Sequence, residues 1–231
     1  MNRKTLLITG LFIIIEIILG ILIQFSHHTL HIVLCYSSVV LACVFSFVFI
    51  TKKDFFLTQL GLLFTVFADL FLVVITPMLQ IPAMICFSIT QMCYFLRLYL
   101  NENSKKEKLI HIITRITTSI LIIIITIIVL KEKTDFLSII STFYYANLLI
   151  NIIFAFRKSN KSILFPIGLL LFSLCDLQIG IKILNDSYIN VSNNIILEFL
   201  SDPPFNFAWF FYVPSQTLIA LSTVYNKTST I

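Results

Sequence analysis

Three carboxylates lie inside long apolar stretches of this sequence: Glu16, Asp69 and Asp176. Charge is expensive in hydrocarbon, so an intramembrane carboxylate is a functional candidate by default. Two of the three form a pair. Asp69 follows Gly61-Leu62-Leu63 and Asp176 follows Gly168-Leu169-Leu170, with eight residues from glycine to aspartate in both. Burial and mutual repulsion keep two carboxyls that share one site from both ionising. The protonated one can serve as a general acid. The ionised one can stabilise a developing cation or orient water. That pairing suits acetal and enol-ether cleavage, which pass through an oxocarbenium ion. It equally suits a proton-coupled carrier. Glu16 has no counterpart, because the same offset lands on Ile123, and it is read as structural.

Amides and phenols accompany the pair. Tyr94 is three residues after Gln91 and Tyr212 four before Gln216, so each tyrosine shares a helical face with its glutamine. Tyr144, Asn147 and Asn151 follow the i, i+3, i+7 pattern of one face. These seven side chains are the candidate substrate-binding residues of an interior pocket around a catalytic Asp69 and Asp176. The alternative is that they only bond one another and hold helices together. Of the four histidines, His27, His28 and His31 lie at one end of the apolar runs and His111 at the other. None is level with the aspartates, so no metal site and no cofactor is expected. Cys35, Cys43, Cys86, Cys93 and Cys175 all fall in apolar runs and read as small core residues.

These residues need a membrane around them. Of 231 residues, 58% are hydrophobic and 12% charged, far from the roughly 45–50% and 25% of soluble domains. The expected fold is all-α: a polytopic membrane protein with about eight transmembrane helices, over roughly 5–25, 30–50, 57–75, 82–100, 109–130, 136–156, 162–184 and 205–225. The first run reaches Phe25 without a small-x-small cleavage pattern and is read as a span rather than a secretory signal. Pro77 and Pro82 bracket a short turn, and Pro203-Pro204 introduces the last span.

Charge sets the expected orientation. With a cytoplasmic N-terminus, Arg3, Lys4, Lys52, Lys53, Arg97, Lys105, Lys106, Lys108, Arg157, Lys158, Lys161 and Lys227 are inside. Only Lys131, Lys133 and Lys182 are outside, and Arg115 is expected to snorkel to the inner surface. This asymmetry needs an even number of spans and puts both termini in the cytoplasm of a cell-membrane protein. The net charge of +5 is accounted for by these loops, and no nucleic-acid partner is expected. At 1.5 Å per residue, Asp69 then lies roughly 9–10 Å and Asp176 roughly 12 Å from the outer ends of their spans. Gln91 and Gln216 lie roughly 14 and 16 Å in.

The glycine–aspartate match has an offset of 107 residues, which also aligns Phe47-Val48-Phe49 with Phe154-Ala155-Phe156. The chain therefore reads as one transmembrane domain, 1–231, built of two tandem four-helix repeats, about 1–104 and 105–231. An even-numbered unit repeats with the same orientation, about an axis along the membrane normal.

At these residues the chain resembles the YhhN family, which includes the mammalian lysoplasmalogenases. The resemblance is carried by Gly61 to Asp69, Gln91-Met92-Cys93-Tyr94, Gly168 to Asp176, and Tyr212-Val213-Pro214-Ser215-Gln216, and covers about residues 45–223. It implies an eight-span fold and hydrolysis of the vinyl-ether bond of a lysoplasmalogen, releasing a fatty aldehyde and a glycerophospho-alcohol. It also implies that Asp69 and Asp176 are the catalytic aspartates, and that Tyr212 and Gln216 match the family's tyrosine-x-x-x-glutamine pattern. The chain departs from the family in carrying Gln91 where many members carry histidine. The expected partner is a membrane lipid or lysophospholipid, and homo-oligomerisation is left open. The competing reading is a non-enzymatic lipid-binding sensor or small-solute carrier with a buried acidic pocket.

Overall fold

Apolar chain in lipid can satisfy its backbone only within itself, which leaves the helix as the local solution. The computed structural model describes residues 3–48, 53–75, 78–102, 104–158, 162–183 and 205–224. Among the described residues there are eight α-helices and no strand: α1 (Arg3–Phe25), α2 (His28–Val48), α3 (Lys53–Asp69), α4 (Gln80–Leu100), α5 (Lys105–Leu130), α6 (Phe136–Arg157), α7 (Leu164–Ile183) and α8 (Phe207–Leu221). A π-helical segment, Leu70–Val74, continues α3. Seven of these elements are long and apolar enough to cross a membrane, and α8 is a shorter apolar helix of 15 residues. The protein is a multi-pass membrane protein. Pro77, Pro203, Pro204, Phe49, Lys52, Lys161 and Lys227 lie outside the described residues.

Polar side chains set the helix ends. Ser104 caps α5 by accepting from Lys106 N–H. Asp135 and Ser138 form a reciprocal capping box at α6, with the Ser138 N–H donating to Asp135 at 2.7 Å. Asn206 caps α8 and is itself held by Gln24 at the end of α1, through Asn206 N–H to Gln24 Oε1 at 3.0 Å. At the opposite end Lys158 pairs with Glu102 at 3.1 Å.

The two halves pack alike. Helix α3 lies along α4, and α7 lies along α8. Each pair closes at its matching glycine. A Cβ on Gly61 would fall 2.4 Å from Tyr94 Cε1, and one on Gly168 would fall 2.7 Å from Ile219 Cγ1. Tyr94 and Ile219 are related by 125 residues, the same offset that relates Gln91 to Gln216. The halves interlock through α2 on α8 and α4 on α6. Small residues permit such close approach where no hydrophobic drive separates helix from lipid.

Gly168 has backbone as well as side chain in front of it, with Ser215 O and Ile219 N each 3.1 Å from the added Cβ. Gly168→Ala is therefore expected to destabilise by about 1–3 kcal/mol through overpacking, lowering the thermal midpoint of the purified protein in detergent by several degrees. Gly10, with nothing within 4 Å of its Cβ position, should accept alanine without loss. Equal midpoints for the two variants would show that the α7–α8 contact is not close-packed.

Candidate functional site

Asp69 is the last residue of α3, immediately before the π-helical segment. The wider turn is closed by Ile75 N–H donating to Leu70 O at 3.0 Å. Such π turns recur at functional sites, because an extra residue re-aims the side chains around it. Asp69 is buried, with 3% of its surface exposed. Tyr212 of α8 donates its hydroxyl to Asp69 Oδ2 at 2.6 Å. Asp176 of α7 is half-buried and accepts a short hydrogen bond from the hydroxyl of Tyr144 on α6. The tyrosines that hold the two carboxyls both pack against Phe172. Each carboxyl has one tyrosine as its hydrogen-bond partner among the described residues, and each tyrosine comes from a different helix.

Phe172, one turn before Asp176 on α7, fills the space between the two pairs. Its ring centroid is 6.3 Å from Tyr144 and 5.4 Å from Tyr212, and Phe87 closes the layer at 5.8 Å. The result is two Asp–Tyr pairs around an aromatic wall.

One to two turns deeper the polar groups change character. Gln91 is fully buried. Its Oε1 accepts from Asn151 Nδ2 at 3.0 Å, while its Nε2 has no partner among the described residues. Gln216 is fully buried, and among the described residues neither end of its amide nor the Ser215 hydroxyl beside it has a partner. Tyr94 packs on Gly61 and edge-on against Phe165 at 5.4 Å. A buried amide without partners costs on the order of 1–3 kcal/mol, so such a group calls for a partner, either an ordered water or a polar ligand. Glu16 lies apart, accepting from the Ser38 hydroxyl at 2.6 Å.

The stripe Tyr144–Asn147–Asn151 divides between two partners. Tyr144 goes to Asp176, whereas Asn147 and Asn151 go to Arg115. The guanidinium donates to Asn147 Oδ1 in a short hydrogen bond and to Asn151 Oδ1 at 2.6 Å, and it stacks over Phe95 at 4.2 Å. The expectation that Arg115 snorkels to the surface is corrected: it is 7% exposed and faces inward. The physical reason is the pair of asparagine carbonyls on α6, which solvate the cation inside the bundle. Arg115 belongs to a stripe that periodicity could have found. His111, Arg115 and Ser119 are spaced by four and are the buried residues of α5, a helix otherwise clad in lipid-facing isoleucines. No His/Cys/Asp/Glu group among the described residues could hold a metal ion.

The sequence model of the YhhN family matches residues 30–223 of the 231-residue chain, and the chain belongs to that family. No curated protein and no solved structure matches it.

Removing the phenol from Tyr212 would leave the buried Asp69 carboxyl without its donor. Tyr212→Phe is expected to cost about 1–3 kcal/mol in denaturant unfolding of the purified protein. Tyr145→Phe is the comparison: its hydroxyl meets only Ser173, at 3.1 Å in a part-buried setting, and its loss should cost less. A Tyr212→Phe protein as stable as wild type would count against the Asp69–Tyr212 bond.

Proposed function

We propose that this YhhN-family protein is a membrane hydrolase that cleaves the vinyl-ether bond of a lysoplasmalogen-type lipid. The observation that carries the reading is the two Asp–Tyr hydrogen bonds, Asp69–Tyr212 and Asp176–Tyr144, around Phe172. Vinyl-ether hydrolysis begins by adding a proton to the alkene carbon farther from oxygen. A carboxylic acid beside the chain supplies that proton. The cation that results is shared between the next carbon and the ether oxygen, and the second carboxylate stabilises it. Water then adds to the carbon bonded to the ether oxygen and gives up a proton to a carboxylate. The hemiacetal then breaks its bond to the glycerol oxygen, which takes a proton from a carboxylic acid while the hemiacetal hydroxyl returns one to the carboxylate, and the fatty aldehyde leaves. Protons lent at the start are returned, so no cofactor enters.

Two features support dividing the roles. Asp69 is sealed in the bundle while Asp176 is half-buried, and unlike surroundings separate the proton affinities of paired carboxyls. Gln91 and Gln216 can hydrogen-bond but cannot transfer protons near neutral pH, which leaves the proton traffic to the aspartates. In the orientation that the basic residues favour, both termini are cytoplasmic and the carboxyl layer lies toward the outer leaflet.

Aldehyde release from a lysoplasmalogen by the purified protein is the direct test. Wild type should release aldehyde, and Asp69→Asn and Asp176→Asn should each slow it by at least about a hundredfold while remaining folded. A folded wild-type protein that releases no aldehyde from any vinyl-ether lipid would overturn the hydrolase reading in favour of a lipid-binding sensor or carrier.

A further inference from the structure

Arg115 is a cation placed where cations are expensive. A charged side chain inside a transmembrane helix is costly, and Arg115 is buried, with 7% of its surface exposed. Its hydrogen-bond partners, Asn147 and Asn151, are neutral. They solvate the charge without cancelling it, and no carboxylate among the described residues comes within ion-pair distance. Four buried nitrogens of the cluster have no hydrogen-bond partner among the described residues: Arg115 Nε itself, Gln91 Nε2 and both ring nitrogens of His111. His111 is one turn from Arg115 on α5 and stacks on Phe154 at 3.7 Å. Gln91 is tied to the same asparagine that holds the guanidinium. A positive charge with unpaired N–H groups beside it, shielded from water, is the arrangement that binds a phosphate oxygen.

The cluster also stands at a definite place relative to the carboxyls. Asn147, which holds Arg115, is three residues after Tyr144, which holds Asp176. The two layers are thus separated by about one turn of α6, roughly 4.5 Å of rise, plus the reach of the side chains. In a lysolipid the glycerol unit separates the phosphate from the vinyl ether, and it would bridge that step. We infer that Arg115, with Gln91 and His111, forms an anion site that takes the phosphate group of the lipid, so that the alkenyl chain is drawn up to the Asp69–Asp176 layer. This rests on the hydrolase reading only for the identity of the lipid; binding of the phosphate does not require turnover.

The test is binding to the full-length protein in detergent, by calorimetry, of three probes. They are a 1-O-alkyl-lysophospholipid with no vinyl ether to cleave, the neutral 1-O-alkylglycerol of the same chain length, and inorganic phosphate. Wild type should bind the phospholipid at least about tenfold tighter than the alkylglycerol. Arg115→Gln should erase that preference, Arg115→Lys should keep part of it, and Gln91→Met should weaken phospholipid binding alone. Equal affinity of wild type for the two lipids would overturn the site, and that comparison stands even where Arg115→Gln does not fold. Inorganic phosphate binding as tightly as the phospholipid would overturn the lipid assignment and make a free anion the ligand. Phosphate-dependent lipid binding without aldehyde release would leave this site standing and remove the hydrolase. Aldehyde release with the same KM from an alkenyl-lysophospholipid and an alkenylglycerol would do the reverse.

Discussion

A carboxyl in the interior of a membrane protein has no water to turn to, and each of the two inner aspartates here is answered by a phenol from another helix. Tyr212 ties α8 to α3, and Tyr144 ties α6 to α7. These two bonds impose conditions on the rest of the bundle. Both tyrosines must approach Phe172 from different helices, at 5.4 and 6.3 Å between ring centroids. Helix α8 must also lie close enough to α7 for Gly168 to touch Ile219. A side chain on that glycine would meet Ile219 and the Ser215 carbonyl of α8, the helix that carries Tyr212.

The halves match as scaffolds and differ as chemistry. The offset of 125 residues that relates Gln91 to Gln216 puts Phe87 where the second half has Tyr212, and the offset of 107 puts Ser37 where it has Tyr144. Both phenols that hold the carboxyls thus come from the second half. The π-helical turn, by contrast, follows Asp69 alone, while α7 runs through Asp176 as ordinary helix. Equivalent carboxyls consequently sit in unequal surroundings, one sealed and one half-buried. Acid–base chemistry benefits from that inequality, because two identical carboxyls would compete for the same role.

Below the carboxyl layer the bundle turns basic and amide-rich. Helix α5 leans mainly on α6, and what it buries there is polar: His111, Arg115 and Ser119. Packing of apolar surface gives little reason for α5 to stay, since lipid accepts its isoleucines as readily as protein does. Polar contacts join it to α6 instead: Arg115 to Asn147 and Asn151, Thr126 to Thr142 at 3.1 Å, and His111 stacked on Phe154. The same cation gives the interior a positive pole one helical turn from the acidic one, and together they define a direction along which an amphipathic molecule could be held.

The sequence by itself determined that this is an all-α membrane protein and that Asp69 and Asp176, each eight residues after a glycine, stand as a matched intramembrane pair. Hydropathy over some twenty residues and the rarity of charge in lipid are properties of composition, which need no coordinates. Tertiary structure decided which group meets which. Tyr144 and Asp176 are 32 residues apart and Tyr212 and Asp69 are 143 apart, so the pairing depends on how helices are arranged around the bundle axis, which helical periodicity does not specify. Arg115 shows the same limit. An arginine ten residues into an apolar helix can snorkel or turn inward, and the choice was made by two asparagines on a neighbouring helix whose carbonyls solvate it. The π turn after Asp69 was hidden for a related reason: Leu70–Val74 are ordinary helix-compatible residues whose types do not mark a wider turn.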